Sequence, residues 1–181
     1  GPALFIELPE NPEKQEEASL LTTRPTCIHE PIDAGGCVYI GTSDDISKAQ
    51  KKGFTHVINL NALEVRVPQE ALIQLEIEIE DASGEDIVPW FYETYQFIEE
   101  ALEDPEAKVL ICCHFGVSRA PTIAAAYLMR KEDVSIDTAM KHIREKAKNP
   151  TIESAFRLEL EAWEAEHQAD PEAMIAASRF G

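Results

Sequence analysis

The segment that most limits the fold is Val109-Leu110-Ile111-Cys112, an apolar run with no polar interruption. A strand with one wet face alternates apolar and polar side chains. A continuous apolar run is buried on both faces and belongs in the middle of a sheet. The heptapeptide Cys113-His114-Phe115-Gly116-Val117-Ser118-Arg119 comes next, then Ala120-Pro121-Thr122 and the run Ile123 to Lys131. Proline fits the first turn of a helix, where its missing N–H costs nothing. The pattern is buried strand, short loop, helix, and a strand buried on both faces needs helices to cover it.

The rest of the chain supplies that cover. Cys37-Val38-Tyr39-Ile40-Gly41 reads as a short strand ended by glycine. Ser43 is placed to cap a helix running to Lys52, with Asp44 and Asp45 in its first turn and Gly53 as its stop. His56-Val57-Ile58-Asn59-Leu60 is a second buried-type strand. From Leu72 to Glu80 the pattern has period two: Leu75, Ile77 and Ile79 face one way, Glu76, Glu78 and Glu80 the other. Residues 81–86 form a loop, and Phe91, Tyr95, Ile98 and Leu102 mark a helix. Ser135 opens another helix, and Pro150 separates a third that reaches about His167. The order predicts an α/β chain with a central mixed, mostly parallel sheet flanked by helices. One domain is expected over 27–167. It is preceded by an acidic, proline-bearing extension at 1–26, flexible or loosely docked, and succeeded by a tail at 168–181 that can be helical.

Charge narrows the function classes. The 181 residues hold 16 Lys and Arg against 34 Asp and Glu, a formal net charge of −18. Such a field repels nucleic acid and anionic membrane surfaces, so neither is an expected partner. No apolar run approaches the roughly 18 residues of a membrane span, and no secretory pattern opens the chain. Gly1-Pro2 reads as a protease scar. Residues 111–150 alone are basic, with seven basic and four acidic residues. The four cysteines, Cys27, Cys37, Cys112 and Cys113, show no zinc spacing, and His114 beside two of them is too compact to chelate a metal. Reduced thiols in a cytoplasmic or nuclear setting are expected, with Cys27 and Cys37 as packed residues. Cys112 reads as a core strand residue, its alternative being a redox partner of Cys113.

The basic segment also carries the chemistry. A loop joining a buried strand to a helix N-terminus points backbone N–H groups and the positive end of the helix dipole at one spot, which makes an anion site. Cys113 at the start of that loop shares the field, which favours its thiolate. Arg119 at the end adds a planar fork that fits two phosphoryl oxygens. Nucleophile, donor cradle and guanidinium together describe phosphoryl transfer to sulfur.

The run C-x5-R after an apolar strand resembles the signature of cysteine-dependent phosphatases, and Gly116-Val117-Ser118-Arg119 with Pro121-Thr122 after it resembles the dual-specificity branch. Val38–Gly41, Thr55–Leu60, Ala126–Met129, and Phe156 with Leu160 and Trp163 resemble the same family, so the likeness covers about residues 36 to 166. It implies a protein-tyrosine-phosphatase-like fold and a hydrolase that dephosphorylates phosphoproteins at tyrosine, serine or threonine. Cys113 is then the nucleophile, and Arg119 with residues His114, Phe115, Gly116, Val117 and Ser118 binds the phosphoryl group. Asp81, 32 residues before Cys113, is then the general acid and afterwards the base. Asp86 is its rival and better suited to capping the next helix. No cofactor or metal is implied.

The sequence departs from the family at two chemical positions. Cys112 stands where the family has histidine, which implies a Cys113 that titrates higher than usual. Ala120 stands where the family has Ser or Thr; phosphatases of regenerating liver resemble this chain in having Arg-Ala-Pro there, which implies slow release of phosphocysteine. The approach to Phe156 is also two residues shorter than usual. The loop lacks the basic residues common in lipid and inositol phosphatases, so a phosphoprotein substrate is favoured. The alternative function is a catalytically weak phosphosite-binding or scaffolding module. Oligomeric state is open.

Overall fold

The computed structural model describes residues 26–29, 36–60, 72–79, 87–113, 119–147 and 154–169. Asp81, Asp86 and residues 114–118 lie outside them, as do most of the extension and the end of the tail. Strands β1 (Thr26–His29), β2 (Cys37–Thr42), β3 (His56–Asn59), β4 (Ile73–Glu76) and β5 (Lys108–Cys113) form one sheet in the order β1-β2-β5-β3-β4. β1 pairs antiparallel with β2, and the other three pairings are parallel. The apolar run therefore lies at the centre of the sheet, as its composition requires.

The helices of the described residues are α1 (Ser43–Ile46), α2 (Val88–Ala101), α3 (Arg119–Lys131), α4 (Ile136–Ala147) and α5 (Ser154–Ala169). Successive residues of β5 point to opposite faces. Val109, Ile111 and Cys113 join the large core with Phe91, Ile98, Ile123, Tyr127, Ile143 and Trp163. Leu110 and Cys112 enter a smaller core with Ile46, Ala49, Phe54, Val57 and Leu72. Among the described residues, four helices thus pack on one face and α1 with its succeeding turns on the other. No helix of the described residues is long and apolar enough to cross a membrane.

Side-chain bonds fix the layers. Trp163 of α5 is fully buried and donates from Nε1 to the Ala126 carbonyl of α3 at 3.1 Å. Glu164 of α5 accepts the N–H of Ile136 at 2.8 Å and so serves an otherwise orphan donor at the start of α4. His142 of α4 donates from Nε2 to the Ile28 carbonyl at 2.7 Å and holds β1 against the body.

Three boundaries differ from the sequence reading. α1 is capped by Thr42 rather than Ser43. The Asp45 carboxylate reaches back to accept the Thr42 N–H at 2.9 Å, so the helix begins where that bond closes. The helix ends at Ile46, and hydrogen-bonded turns carry the chain to Gly53, whose φ of +85° is the left-handed value that ends such a segment. β4 is regular only over Ile73–Glu76, yet Ile77 and Ile79 beyond it are buried at 1% and 0% exposure. The alternation marked burial correctly beyond the regular strand, where the Ile77 N–H still bonds to the Asn59 carbonyl at 2.9 Å.

Candidate active site

In a parallel sheet the carboxyl ends of the strands share one edge, and loops from that edge form the site. Here the edge carries Thr42 of β2, Cys113 of β5, Leu60 just after β3 and Ile79 beyond β4. Register places Thr42 beside Cys113, and both Gly41 and Asn59 beside Cys112.

Cys113 ends β5 and Arg119 opens α3, so the intervening loop must return the chain within five residues. Cys113 is 4% exposed and Arg119 6%. Burial pushes the Cys113 thiol above its ordinary range. The backbone N–H of Ala120, the Arg119 guanidinium and the Arg119 N–H pull the other way by favouring the thiolate. From the sequence, the loop field is expected to favour the anion. In the described structure desolvation is the larger effect.

Arg119 is anchored by backbone. Its Nη1 donates to the Ile79 carbonyl and makes a longer contact, 3.5 Å, to the Leu60 carbonyl. These carbonyls terminate β3 and the β4 segment, so the arginine is tied to the chain two residues before Asp81. Its Nε is buried and has no hydrogen-bond partner among the described residues. A buried, unmatched guanidinium donor is costly unless an anion accepts from it. Sequence reasoning did not foresee the Leu60 and Ile79 contacts, because a backbone acceptor leaves no mark in residue type.

Behind Cys113 lies a buried polar row. Asp45, 1% exposed, fills the space left open by Gly41: a Cβ there would lie 2.7 Å from Asp45 Oδ2. Its other oxygen accepts from Lys52 Nζ at 3.2 Å. Cys112 is fully buried beside this row, and burial, then Asp45, then Cys113 hold its thiol far above the ordinary range. It is a protonated core residue on the face opposite Cys113. Ala120, 1% exposed, packs in the large core and brings no hydroxyl to the sulfur. Asp81 and loop residues 114–118 fall outside the described residues, so their placement stays an expectation.

The sheet order, the helical cover and a cysteine-to-arginine turn at the carboxyl edge define a domain of the protein-tyrosine-phosphatase type. Comparison with known proteins narrows the class. The family model "Dual specificity phosphatase, catalytic domain" matches residues 38–166, and the chain belongs to that family. Dual specificity protein phosphatase 1B of Arabidopsis thaliana is 30% identical over 140 residues, covering 74% of this chain and 81% of its own. Dual specificity protein phosphatase 16 of Homo sapiens is 31% identical over 150 residues, covering 75% of this chain. The chain spans 22% of that human relative's length and 39% of a Schizosaccharomyces pombe tyrosine-protein phosphatase. Among solved structures, the human tyrosine phosphatase-like serine/threonine/tyrosine-interacting protein superposes with a TM-score of 0.69 at 24% identity, covering 80% of this chain and 97% of that one. A mouse putative dual specificity phosphatase gives 0.70 at 21% identity, covering 81% and 90%.

Proposed function

We propose that the chain hydrolyses phosphate monoesters on phosphoproteins through a phosphocysteine intermediate. The observation that carries this reading is the pair at the strand-to-helix turn: a buried cysteine bonded by the first N–H groups of α3, next to a buried arginine with an unmatched donor. The Cys113 thiolate attacks phosphorus in line. Arg119 and the N–H groups of residues 114–119 take the equatorial oxygens, whose charge grows in the transition state. Asp81 protonates the departing serine, threonine or tyrosine oxygen, then activates the water that clears the sulfur. His114, Phe115, Gly116, Val117 and Ser118 shape the cradle. The tie from Arg119 to the Ile79 carbonyl supports Asp81 as the acid, because it anchors the strand that leads to it.

The acidic body favours phosphosites flanked by basic residues over nucleic acid or phosphoinositide membranes. Four reduced thiols suit a reducing cytoplasmic or nuclear setting. The test is hydrolysis of a small aryl phosphate by wild type, Cys113→Ser and Asp81→Ala. Wild type should exceed Cys113→Ser by orders of magnitude and Asp81→Ala by about 100-fold. A wild type no faster than Cys113→Ser would end the hydrolase reading. The raised Cys113 thiol and the missing hydroxyl at Ala120 would then favour a phosphosite-binding module.

A further inference from the structure

Thr42 stands beside Cys113 at the end of the parallel pairing of β2 with β5, and Gly41 stands beside Cys112. Backbone groups alternate sides along a strand. The Cys37 N–H points toward β5, where it donates to the Ala107 carbonyl at 3.0 Å, so the Thr42 N–H, an odd number of residues on, points away from β5. On that side β2 pairs with β1, but among the described residues the pairing reaches only Ile40, opposite Thr26. The last N–H of β2, next to Cys113, therefore lies beyond the reach of β1 and takes its acceptor from a side chain, Asp45.

Asp45 Oδ2 accepts the Thr42 N–H at 2.9 Å and the Thr42 hydroxyl at 3.3 Å. Oδ1 faces the other way and pairs with Lys52 Nζ at 3.2 Å, on a side chain that is 34% exposed. The carboxylate itself is 1% exposed, in the space that Gly41 leaves open. A surface carboxylate would cap a short helix as well, and without the cost of burying a charge. This one is buried at the edge of the sheet that carries Cys113 and Arg119, and its two oxygens do separable work. Lys52 offsets the buried charge, which bears on stability. The grip on Thr42 bears on geometry, because it fixes the residue beside Cys113.

We infer that Asp45 is a positioning residue for Cys113: by holding the end of β2 through Thr42, it fixes the wall against which the Cys113 side chain is set. The inference rests on the hydrolase reading, in which the sulfur must lie in line with phosphorus. Thr42 and Cys113 are both buried, at 1% and 4% exposure, so a shift of one strand end is passed to the other by contact. A reacting atom displaced by about 1 Å can cost up to about 100-fold in rate. The groups which that reading gives to the phosphate are Arg119 and the loop N–H groups, and Asp45 is not among them. Its loss should therefore fall on the chemical step and leave substrate affinity in place.

The test uses variants of the full chain and a small aryl phosphate. Asp45→Ala should lower kcat by about tenfold or more, while KM moves by less than about twofold. Asp45→Asn keeps an oxygen for the Thr42 N–H and should recover most of that loss. Lys52→Met strips a buried carboxylate of its cation, so it should lower the urea midpoint and yet keep kcat. Cys113 also reports without turnover: its alkylation by iodoacetamide, mapped by mass spectrometry, should be several-fold faster in Asp45→Ala, where the sulfur is no longer held at 4% exposure, and unchanged in Lys52→Met. Wild-type kcat and alkylation rate in Asp45→Ala would overturn the inference and leave the carboxylate as a cap for α1. So would a Lys52→Met as slow as Asp45→Ala, because activity would then follow stability, or an Asp45→Asn that recovers nothing. If Asp45→Ala does not fold, Gly41→Ala takes its place under the same expectations, since a methyl there crowds the carboxylate at 2.7 Å without removing it. A wild type with no hydrolysis at all would count against the hydrolase reading alone, and the alkylation rates would still decide whether Asp45 holds Cys113.

Discussion

At Cys113 two influences of opposite sign meet on one sulfur. Burial raises the thiol, and the α3 N–H groups with Arg119 lower it, with burial ahead. The thiol should therefore be mostly protonated at neutral pH. Alkylation of Cys113 by iodoacetamide should climb about tenfold per pH unit through the neutral range and level off only in the alkaline region. A plateau already at about pH 6 would mean that the loop field wins instead. Stability depends on pH through the same group. A raised thiol contributes stability that is whole below the ordinary thiol range and is lost as pH rises through its folded value. Ala120 is the second lever. Ala120→Ser places a hydroxyl beside the sulfur, where one hydrogen bond to a departing thiolate is worth about 1–1.5 kcal/mol. The second step should then accelerate by about tenfold. Single-turnover and steady-state rates compared in the two proteins check this: the burst in wild type should shrink in the variant, and an unchanged burst would refute the role given to Ala120. Gly41 marks a different kind of constraint. A methyl there would press on Asp45 Oδ2 at 2.7 Å and Leu110 Cδ1 at 3.1 Å, so Gly41→Ala should cost about 1–3 kcal/mol in urea unfolding.

At the scale of elements, the helices are held by specific bonds as well as apolar contact. Glu99 of α2 accepts from Tyr127 of α3 at 2.9 Å and from Lys131 at 3.0 Å, with Tyr127 itself nearly fully buried. Burial and the Glu99 charge drive the Tyr127 phenol far above its ordinary range, so it remains a donor at any workable pH. Tyr127→Phe keeps the packing and removes the donor, and should lower stability by about 1–1.5 kcal/mol with little change in turnover. Thermal unfolding and aryl phosphate hydrolysis measured on the same sample separate the two effects. These contacts also mark the limit of what residue patterns disclose. β2, β3 and β5 were legible as apolar runs, and α2, α3 and α4 as periodic ones, because burial selects residue type directly. β1 was not. Thr26–His29 is short, comes directly after Pro25, and owes its place to pairing with β2 and to the His142 bond, both tertiary. The turn from Cys113 to Arg119 was legible because an apolar run followed by a helix start leaves its mark in residue type. The carbonyls that hold Arg119 were not, since every residue has one.

On the scale of the whole molecule, a chain of net charge −18 carries the proposed anion site, and the two charges act over different distances. In the proposed mechanism the loop donors and Arg119 act at contact, where solvent screens little. The acidic body acts through water, where the Debye length is about 30 Å at 0.01 M salt and about 8–10 Å near physiological strength. At low salt the body field opposes an approaching dianion, and at physiological salt only the local cradle remains. For a small anionic aryl phosphate, kcat/KM should therefore rise several-fold as ionic strength increases over this range. For a phosphopeptide with lysines or arginines beside the phosphosite, the same field attracts, and kcat/KM should fall. The two substrates measured in one salt series give slopes of opposite sign if the charge of the body selects the substrate. Parallel slopes would assign selection to the cleft alone and remove the basis for expecting basic flanks.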